Sequence, residues 1–170
     1  MITIVSLNDA VKSAHAEFAP LLAAITEWAA KHEKTIDLDL AAFVCAATRD
    51  GSGNQDSLTL WTRTGVQGFL SCDSFNYCSS ESCKMPGGVP EALWVFLDFL
   101  YDTGHLDPRS DPLWELRKPL ICYAGLGFDG RERPKGSGRL IPCECHLPYR
   151  ETVEYVQREF EQGRFQPGWR

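Results

Sequence analysis

The stretch from Val89 to Tyr101 constrains the fold more than any other part of the sequence. Built as a helix, it carries apolar side chains over more than half of its circumference. Pro90 suits the first helical turn and Gly104 suits a C-terminal cap. A helix that is apolar over so much of its surface has to be covered by other elements, so we predict that it is the central element of the core. The apolar side chains of this helix are Leu93, Trp94, Phe96, Leu97, Leu100 and Tyr101.

Apolar residues at spacings of three and four predict further helices around this one. The segment 1–34 is predicted to be helical with a break at Pro20, and a second helix is predicted from Asp37 to Thr48. Ser110 and Asp111 are expected to cap a helix that has Pro112 in its first turn and is kinked or broken at Pro119. Its expected packing face is Leu113, Trp114, Leu116, Leu120 and Ile121. A last amphipathic helix is predicted from Pro148 to Gln162.

Ser57 to Cys72 has a different pattern, rich in β-branched, aromatic and alternating residues. We predict a β-hairpin there with its turn near Thr64-Gly65. The predicted fold class is therefore mainly α with a small β-hairpin. The length of 170 residues fits a single compact domain over 1–170, with a cysteine-rich loop at 71–88 and a Gly/Pro/charge-rich loop within 129–147.

Charge and hydropathy exclude several classes of protein. The formal net charge is −6, whereas proteins that wrap nucleic acid usually carry a basic excess, so nucleic acid is an unexpected partner. The C-terminal 131–170 is the exception, with a net charge of +2. No run of 18 apolar residues and no secretory signal is visible, so neither a membrane span nor export is expected. We therefore expect a cytoplasmic protein, in which free or metal-bound thiols are more common than disulfides.

The seven cysteines fall into two kinds. Cys45 and Cys122 lie on apolar helical faces, where cysteine is commonly a small packed hydrophobe. The other five lie in two polar segments, in which a packing role explains them poorly. The first segment has the spacing C-x5-C-x4-C and the second has C-x-C-H, and together they contain Cys72, Cys78, Cys83, Cys143, Cys145 and His146.

These six residues predict a structural zinc site, because zinc takes four ligands from thiolate sulfur and imidazole nitrogen. One ion held by both segments would also order the long polar loop. The preferred ligands are Cys78, Cys83, Cys143 and Cys145, with Cys72 and His146 as alternates. The standard C-x2-C spacing is absent, so disulfides, an iron–sulfur cluster and unlinked thiols remain as alternatives.

Two classes of function remain open. The preferred one is a small binding or regulatory protein with the thiolate zinc site, which contacts a protein partner through its C-terminal segment. There, Phe165 and Trp169 are flanked by Arg164 and Arg170, a composition typical of interface hot spots.

The alternative is a zinc- or thiol-dependent enzyme that acts on a small substrate. It would use Cys72, Cys78 or Cys83 with His105 or His146. No zinc-hydrolase, deaminase, nucleophile-elbow or phosphate-loop motif is present. A closed four-ligand site would favour the binding protein, whereas an open three-ligand site or a low-pKa cysteine beside a histidine would favour the enzyme.

Overall fold

A computed structural model describes residues 7–49, 58–70 and 87–141, and this part of the chain is built from helices. Six are described: α1 (Leu7–Glu17), α2 (Ala19–Lys31), α3 (Leu38–Arg49), α4 (Arg63–Leu70), α5 (Val89–Asp102) and α6 (Leu113–Cys122). The mainly helical fold class is therefore confirmed for these residues.

Helix α5 is the central element, as its apolar circumference predicts. It contacts α2, α3 and α6, and most of its side chains are buried. Pro90 occupies the first turn, and Gly104 ends the helix with a φ of +73°. The backbone N–H groups of His105 and Leu106 return to the carbonyl of Leu100, which satisfies an acceptor that the helix end leaves open.

The first three helices form a layer that packs closely through small side chains. The break predicted at Pro20 is confirmed, because α1 ends at Glu17 and α2 begins at Ala19. Helix α1 packs against α3, and their contact is a separate apolar cluster built largely from alanines. The buried members of that cluster are Ala14, Leu22, Ala41, Ala42 and Ala46.

The predicted β-hairpin is wrong. Arg63–Leu70 forms α4, so the expected turn at Thr64-Gly65 lies inside a helix, and the described residues contain no strand. Thr62 is the physical reason, because its Oγ1 accepts a 2.9 Å hydrogen bond from the backbone N–H of Gly65 and so caps the helix. Val66, Phe69 and Leu70 then fall on one buried face, at the helical spacing of three and four.

The residues just before α4 find their hydrogen-bond partners far along the chain instead. The backbone N–H of Asp107 donates to the Thr59 carbonyl and that of Asp111 donates to the Trp61 carbonyl, at 2.9 and 3.0 Å. The N–H of Trp61 donates in turn to Ser110 Oγ. This stretch therefore pairs with a loop and not with its own continuation.

Asp111 has a different role from the one predicted. Its carboxylate accepts a 2.7 Å hydrogen bond from the N–H of Arg63, the first residue of α4. No side chain caps α6, which begins after Pro112. Pro119 does not break α6, because the helix continues to Cys122 and buries Leu120 and Ile121 beyond the proline.

Candidate functional site

The six predicted zinc ligands lie outside the described residues. This applies to the first segment, with Cys72, Cys78 and Cys83, and to the second, with Cys143, Cys145 and His146. Within 7–49, 58–70 and 87–141, no group of three or more His, Cys, Asp or Glu side chains could hold a metal ion. The zinc site and its ligands therefore stay a prediction from the sequence, as does the contact predicted for the C-terminal segment.

The structure does describe the two cysteines that the sequence assigns to packing. Cys45 lies in the core, and burial raises the pKa of its thiol to about 12. A thiol with so high a pKa is a poor nucleophile at neutral pH. Cys122 is half-buried, and its Sγ donates to the carbonyl of Lys118 in the preceding turn. The packing role is confirmed for Cys45, whereas Cys122 is only partly enclosed.

His105, the histidine proposed for a thiol-dependent enzyme, lies at the exposed end of α5. Its ring stacks on Phe99, and its Nδ1 lies 2.7 Å from Thr103 Oγ1. The Thr103 hydroxyl donates its one proton to the Phe99 carbonyl, so Nδ1 of His105 is the donor to Thr103. These contacts fix the ring against its own helix end.

His32 also lies at a helix end, between α2 and α5. Its ring stacks on Trp28 with 4.8 Å between centroids. Its Nδ1 is 2.8 Å from the Trp28 carbonyl, and its Nε2 is 3.1 Å from Asp102 Oδ2. Trp28 Nε1 donates to the same carboxylate oxygen. The arrangement joins the C-terminal ends of α2 and α5 and is a structural contact.

The feature that stands out on the described surface is a pair of aromatic side chains, Trp114 and Phe128. Trp114 is 44% exposed and Phe128 is 58% exposed. Their ring centroids are 6.2 Å apart and their planes are inclined by 28°, so the rings stack on one another in contact with solvent. We call this pair the aromatic platform. Trp114 was predicted to lie in the core, and that prediction is wrong.

Phe128 is held on a tight turn between Gly125 and Arg133. The N–H of Gly127 donates to the Arg131 carbonyl at 2.8 Å, and the N–H of Arg133 donates to the Gly125 carbonyl at 3.2 Å. At the base of the turn, Leu126 is buried and its N–H bonds to the Leu120 carbonyl of α6. This first part of the predicted 129–147 loop is therefore ordered by its own backbone hydrogen bonds.

The same turn is fastened to the core at Gly130. This glycine has a φ of +75° and lies against the ring of Trp94, so a Cβ there would come within 2.5 Å of Trp94 Cδ1. The guanidinium of Arg117 lies 4.8 Å from the centroid of the Trp94 ring and pairs with Asp98. Leu126 and Gly130 thus fix the turn on both sides of Phe128, and the aromatic platform is displayed on a rigid support.

Charges on the first turns of α6 are balanced around Glu115. Lys118 Nζ lies 2.6 Å from one of its carboxylate oxygens, and Arg63 Nη1 lies 3.3 Å from the other. The hydrogen bond from Lys118 is the main cause that lowers the pKa of this carboxyl, and the charge of Arg63 contributes. The one acidic side chain next to Trp114 in the sequence is therefore matched by two cations.

The residues that follow the turn carry mostly positive charge. Arg133 holds the loop from 133 to 138 together, because its guanidinium donates to the carbonyls of Ser137 and Gly138 at 3.0 and 2.8 Å. Arg131, Lys135 and Arg139 are exposed. We call these three residues the exposed cations. They make no side-chain hydrogen bond or ion pair within the part of the chain that the structure describes.

Comparisons with known proteins do not help to interpret the aromatic platform. No family model, no curated protein and no solved structure matches the chain. Among the described helices, none has both the length and the apolar character that a bilayer crossing demands.

Sequence reasoning missed Phe128 entirely and misplaced Trp114. A weak signal for Phe128 was present, because Phe128 and Asp129 lie between Gly127 and Gly130 in the sequence GFDG. A large apolar residue at the tip of a glycine-flanked turn has few neighbours to cover it. No comparable signal exists for Trp114, since its exposure depends on what the 125–133 turn leaves open.

Proposed function

We propose that this chain is a small binding or regulatory protein that presents the aromatic platform to a protein partner. The exposure of two stacked rings on a support fixed to the core is the observation that carries the proposal. Monomeric proteins seldom expose large aromatic side chains together without a use for them. Aromatic side chains that are held rigidly lose little conformational entropy on binding, and this favours them as anchors.

Tyr101 is an exposed aromatic residue that does not share these properties. Tyr101 is 60% exposed at the end of α5, within the acidic stretch that contains Asp98 and Asp102. It has no stacked aromatic partner among the described residues. Tyr101 therefore offers a matched control for the aromatic platform, since it has similar exposure without the pairing.

A photo-crosslinking experiment tests the binding function. A benzoylphenylalanine placed at position 128 should form a covalent adduct with one discrete protein in an extract of the source cells, identified by mass spectrometry. The same group at position 101 should not, and Trp114→Ala should abolish the adduct from position 128. Equal labelling from both positions, or no adduct from position 128, would reject the proposal.

The second part of the proposal is a structural zinc ion held by the two thiolate segments. The packing of Cys45 and the hydrogen bond of Cys122 support it, because they account for both cysteines outside those segments. The residues that flank the segments support it too. Leu70 and Val89, on either side of the first segment, belong to the main apolar cluster, and Ile141, just before the second, packs against it. Both segments therefore start from fixed points on one body.

Elemental analysis tests the zinc ion. We expect about one zinc per chain and about four thiols that react only after chelation. Cys143→Ser should lose the metal, whereas Cys122→Ser should keep it and serves as the matched control. If the metal-free protein shows all of its thiols except buried Cys45 reacting freely, the site is rejected and the aromatic platform is unaffected.

The C-terminal contact remains part of the proposal on sequence grounds alone. Phe165 and Trp169 combine aromatic surface with flanking arginines, as the aromatic platform does with its neighbouring cations. Deleting residues 164–170 should weaken capture of the partner found from position 128 if both regions contact it. Unchanged capture would confine the interaction to the aromatic platform.

A further inference from the structure

The stretch of sequence that contains the aromatic platform is basic, whereas the chain as a whole is acidic. Residues 113–141 contain six basic and three acidic side chains, a net charge of +3, whereas the whole chain carries −6. The aromatic platform and the exposed cations both belong to this stretch. An acidic partner is therefore attracted to this stretch more than to the remainder of the chain.

The cations of this stretch divide into those already engaged and those available. Arg117 pairs with Asp98, Lys118 pairs with Glu115, and Arg133 is bonded to loop carbonyls. The exposed cations, Arg131, Lys135 and Arg139, are left to contact a partner. The same loop also exposes the carboxylates of Asp129 and Glu132. The three exposed cations exceed these two carboxylates by one, so the loop that follows Phe128 keeps a small positive excess.

The arrangement combines an apolar anchor with a charged rim. Fully desolvated aromatic contacts supply most of the affinity at protein interfaces, whereas charges at the rim mainly steer association. A partner that satisfies both parts must bring carboxylates for the cations and a large apolar side chain for the rings.

From this we infer that the aromatic platform and the exposed cations together bind an acidic protein segment that carries an aromatic or large aliphatic side chain. The inference rests on the proposed binding function and names the chemistry of its partner. Single-stranded nucleic acid also uses aromatic and basic surfaces, but here the rings stack on each other and the chain as a whole is acidic. The first feature reduces the ring surface on which a base could stack, and the second opposes a polyphosphate.

Fluorescence anisotropy with defined probes tests the inference. The main probe is a labelled peptide of about twelve Asp and Glu residues with a central tryptophan. Three controls accompany it: the amide version with Asn and Gln, the acidic version with alanine for tryptophan, and an oligothymidylate of similar length. The acidic tryptophan peptide should bind most tightly, and its affinity should fall as salt rises.

Variants of the full chain locate the contact. Trp114→Ala and Phe128→Ala should each weaken binding about tenfold, the usual loss for an interface anchor. The triple variant Arg131→Gln, Lys135→Gln, Arg139→Gln should weaken it to a similar extent at low salt and reduce the salt dependence. Tyr101→Ala should change the affinity less than about twofold, because Tyr101 lies on the acidic end of α5. Circular dichroism and thermal unfolding would show that each variant is folded.

The outcomes separate this inference from the function on which it rests. Tighter binding of oligothymidylate, equal binding of the amide peptide, or no loss with Trp114→Ala would overturn the acidic partner. So would failure of the acidic tryptophan peptide to bind at millimolar concentration. If position 128 still crosslinks a discrete protein in that case, the binding function stands and only the chemistry of the partner is wrong. If no crosslink forms either, both fail.

Discussion

Trp61 and Trp114 occupy opposite environments although both come from apolar stretches of sequence. Trp61 is completely buried, packs edge-on against Phe69 and Phe96, and donates its Nε1 proton to the Leu58 carbonyl. Trp114 stacks on one ring, that of Phe128, and nearly half of its surface meets solvent. The ring of Trp61 therefore stabilises the fold, whereas the exposed part of the Trp114 ring is available to contact another molecule.

The largest difference between the two tryptophans is expected when each is truncated to alanine. Trp61→Ala should lower the free energy of unfolding by about 3–5 kcal/mol, because it removes a buried ring and leaves a cavity. Trp114→Ala should cost less than about 1 kcal/mol, since its ring is half in solvent. Urea unfolding followed by far-ultraviolet circular dichroism measures both. Equal losses would show that Trp114 is a core residue after all.

The next effect concerns the fastening of the Phe128 turn to the core. Gly130→Ala should lower the free energy of unfolding by about 1–3 kcal/mol, because the new methyl group meets the Trp94 ring and the φ is unfavourable. Gly136→Ala is the matched control, with a φ of +82° and no heavy atom within 4 Å of the new Cβ. The difference in the free energy of unfolding between the two variants measures the Trp94 contact. If the two variants lose the same stability, the turn is not packed tightly against the core.

A smaller effect is expected where the segment that contains Trp61 joins α4. Asp111→Ala should cost about 1 kcal/mol, because it removes the acceptor for the first N–H of α4. Asp111→Asn keeps a side-chain oxygen and should lose less. Chemical unfolding of the two variants separates the hydrogen bond from the charge, and an equal loss in both would assign the whole effect to charge.

The smallest effect is a pH dependence at Asp107, whose backbone N–H bonds to Thr59. Hydrogen bonds from the side chain and backbone of Arg109 lower the pKa of Asp107 from 3.8 to about 2. A lowered pKa means that its stabilisation is present above the unfolded value and is lost as the pH falls through about 2. Asp107→Asn should therefore be slightly less stable than the parent at pH 7 and equal to it near pH 2. A difference that persists at pH 2 would point to packing.

The sequence predicts those parts of the fold in which local pattern and burial agree. The apolar circumference of α5 and the stripe of α2 require neighbours, so their helical periodicity is decisive. In helix α4 the local pattern and the burial do not agree. Gly65 and Gly68 are weak helix formers, and Thr62 is equally suited to a strand. Its stability comes from burying Val66, Phe69 and Leu70, and from Asp111, a residue 48 positions beyond Arg63.

The aromatic platform could not be predicted from the sequence either, because it also depends on contacts between residues far apart in the chain. Whether Trp114 is covered depends on the path of the 125–133 turn, and that path depends on Gly130 meeting Trp94 across the fold. No local periodicity encodes such a contact. The predicted zinc ligands differ from the aromatic platform, because they are inferred from their spacing in the sequence alone. They lie outside the described residues.

The contact between α1 and α3 has a mechanical consequence. Alanine has no side-chain rotamers, so helices that meet through Ala14, Ala41 and Ala42 cannot slide past each other by exchanging side-chain conformations. A displacement of the first helix has to carry the third with it or pull the two apart. Because α3 also packs against α5, such a displacement would be passed on to the central helix.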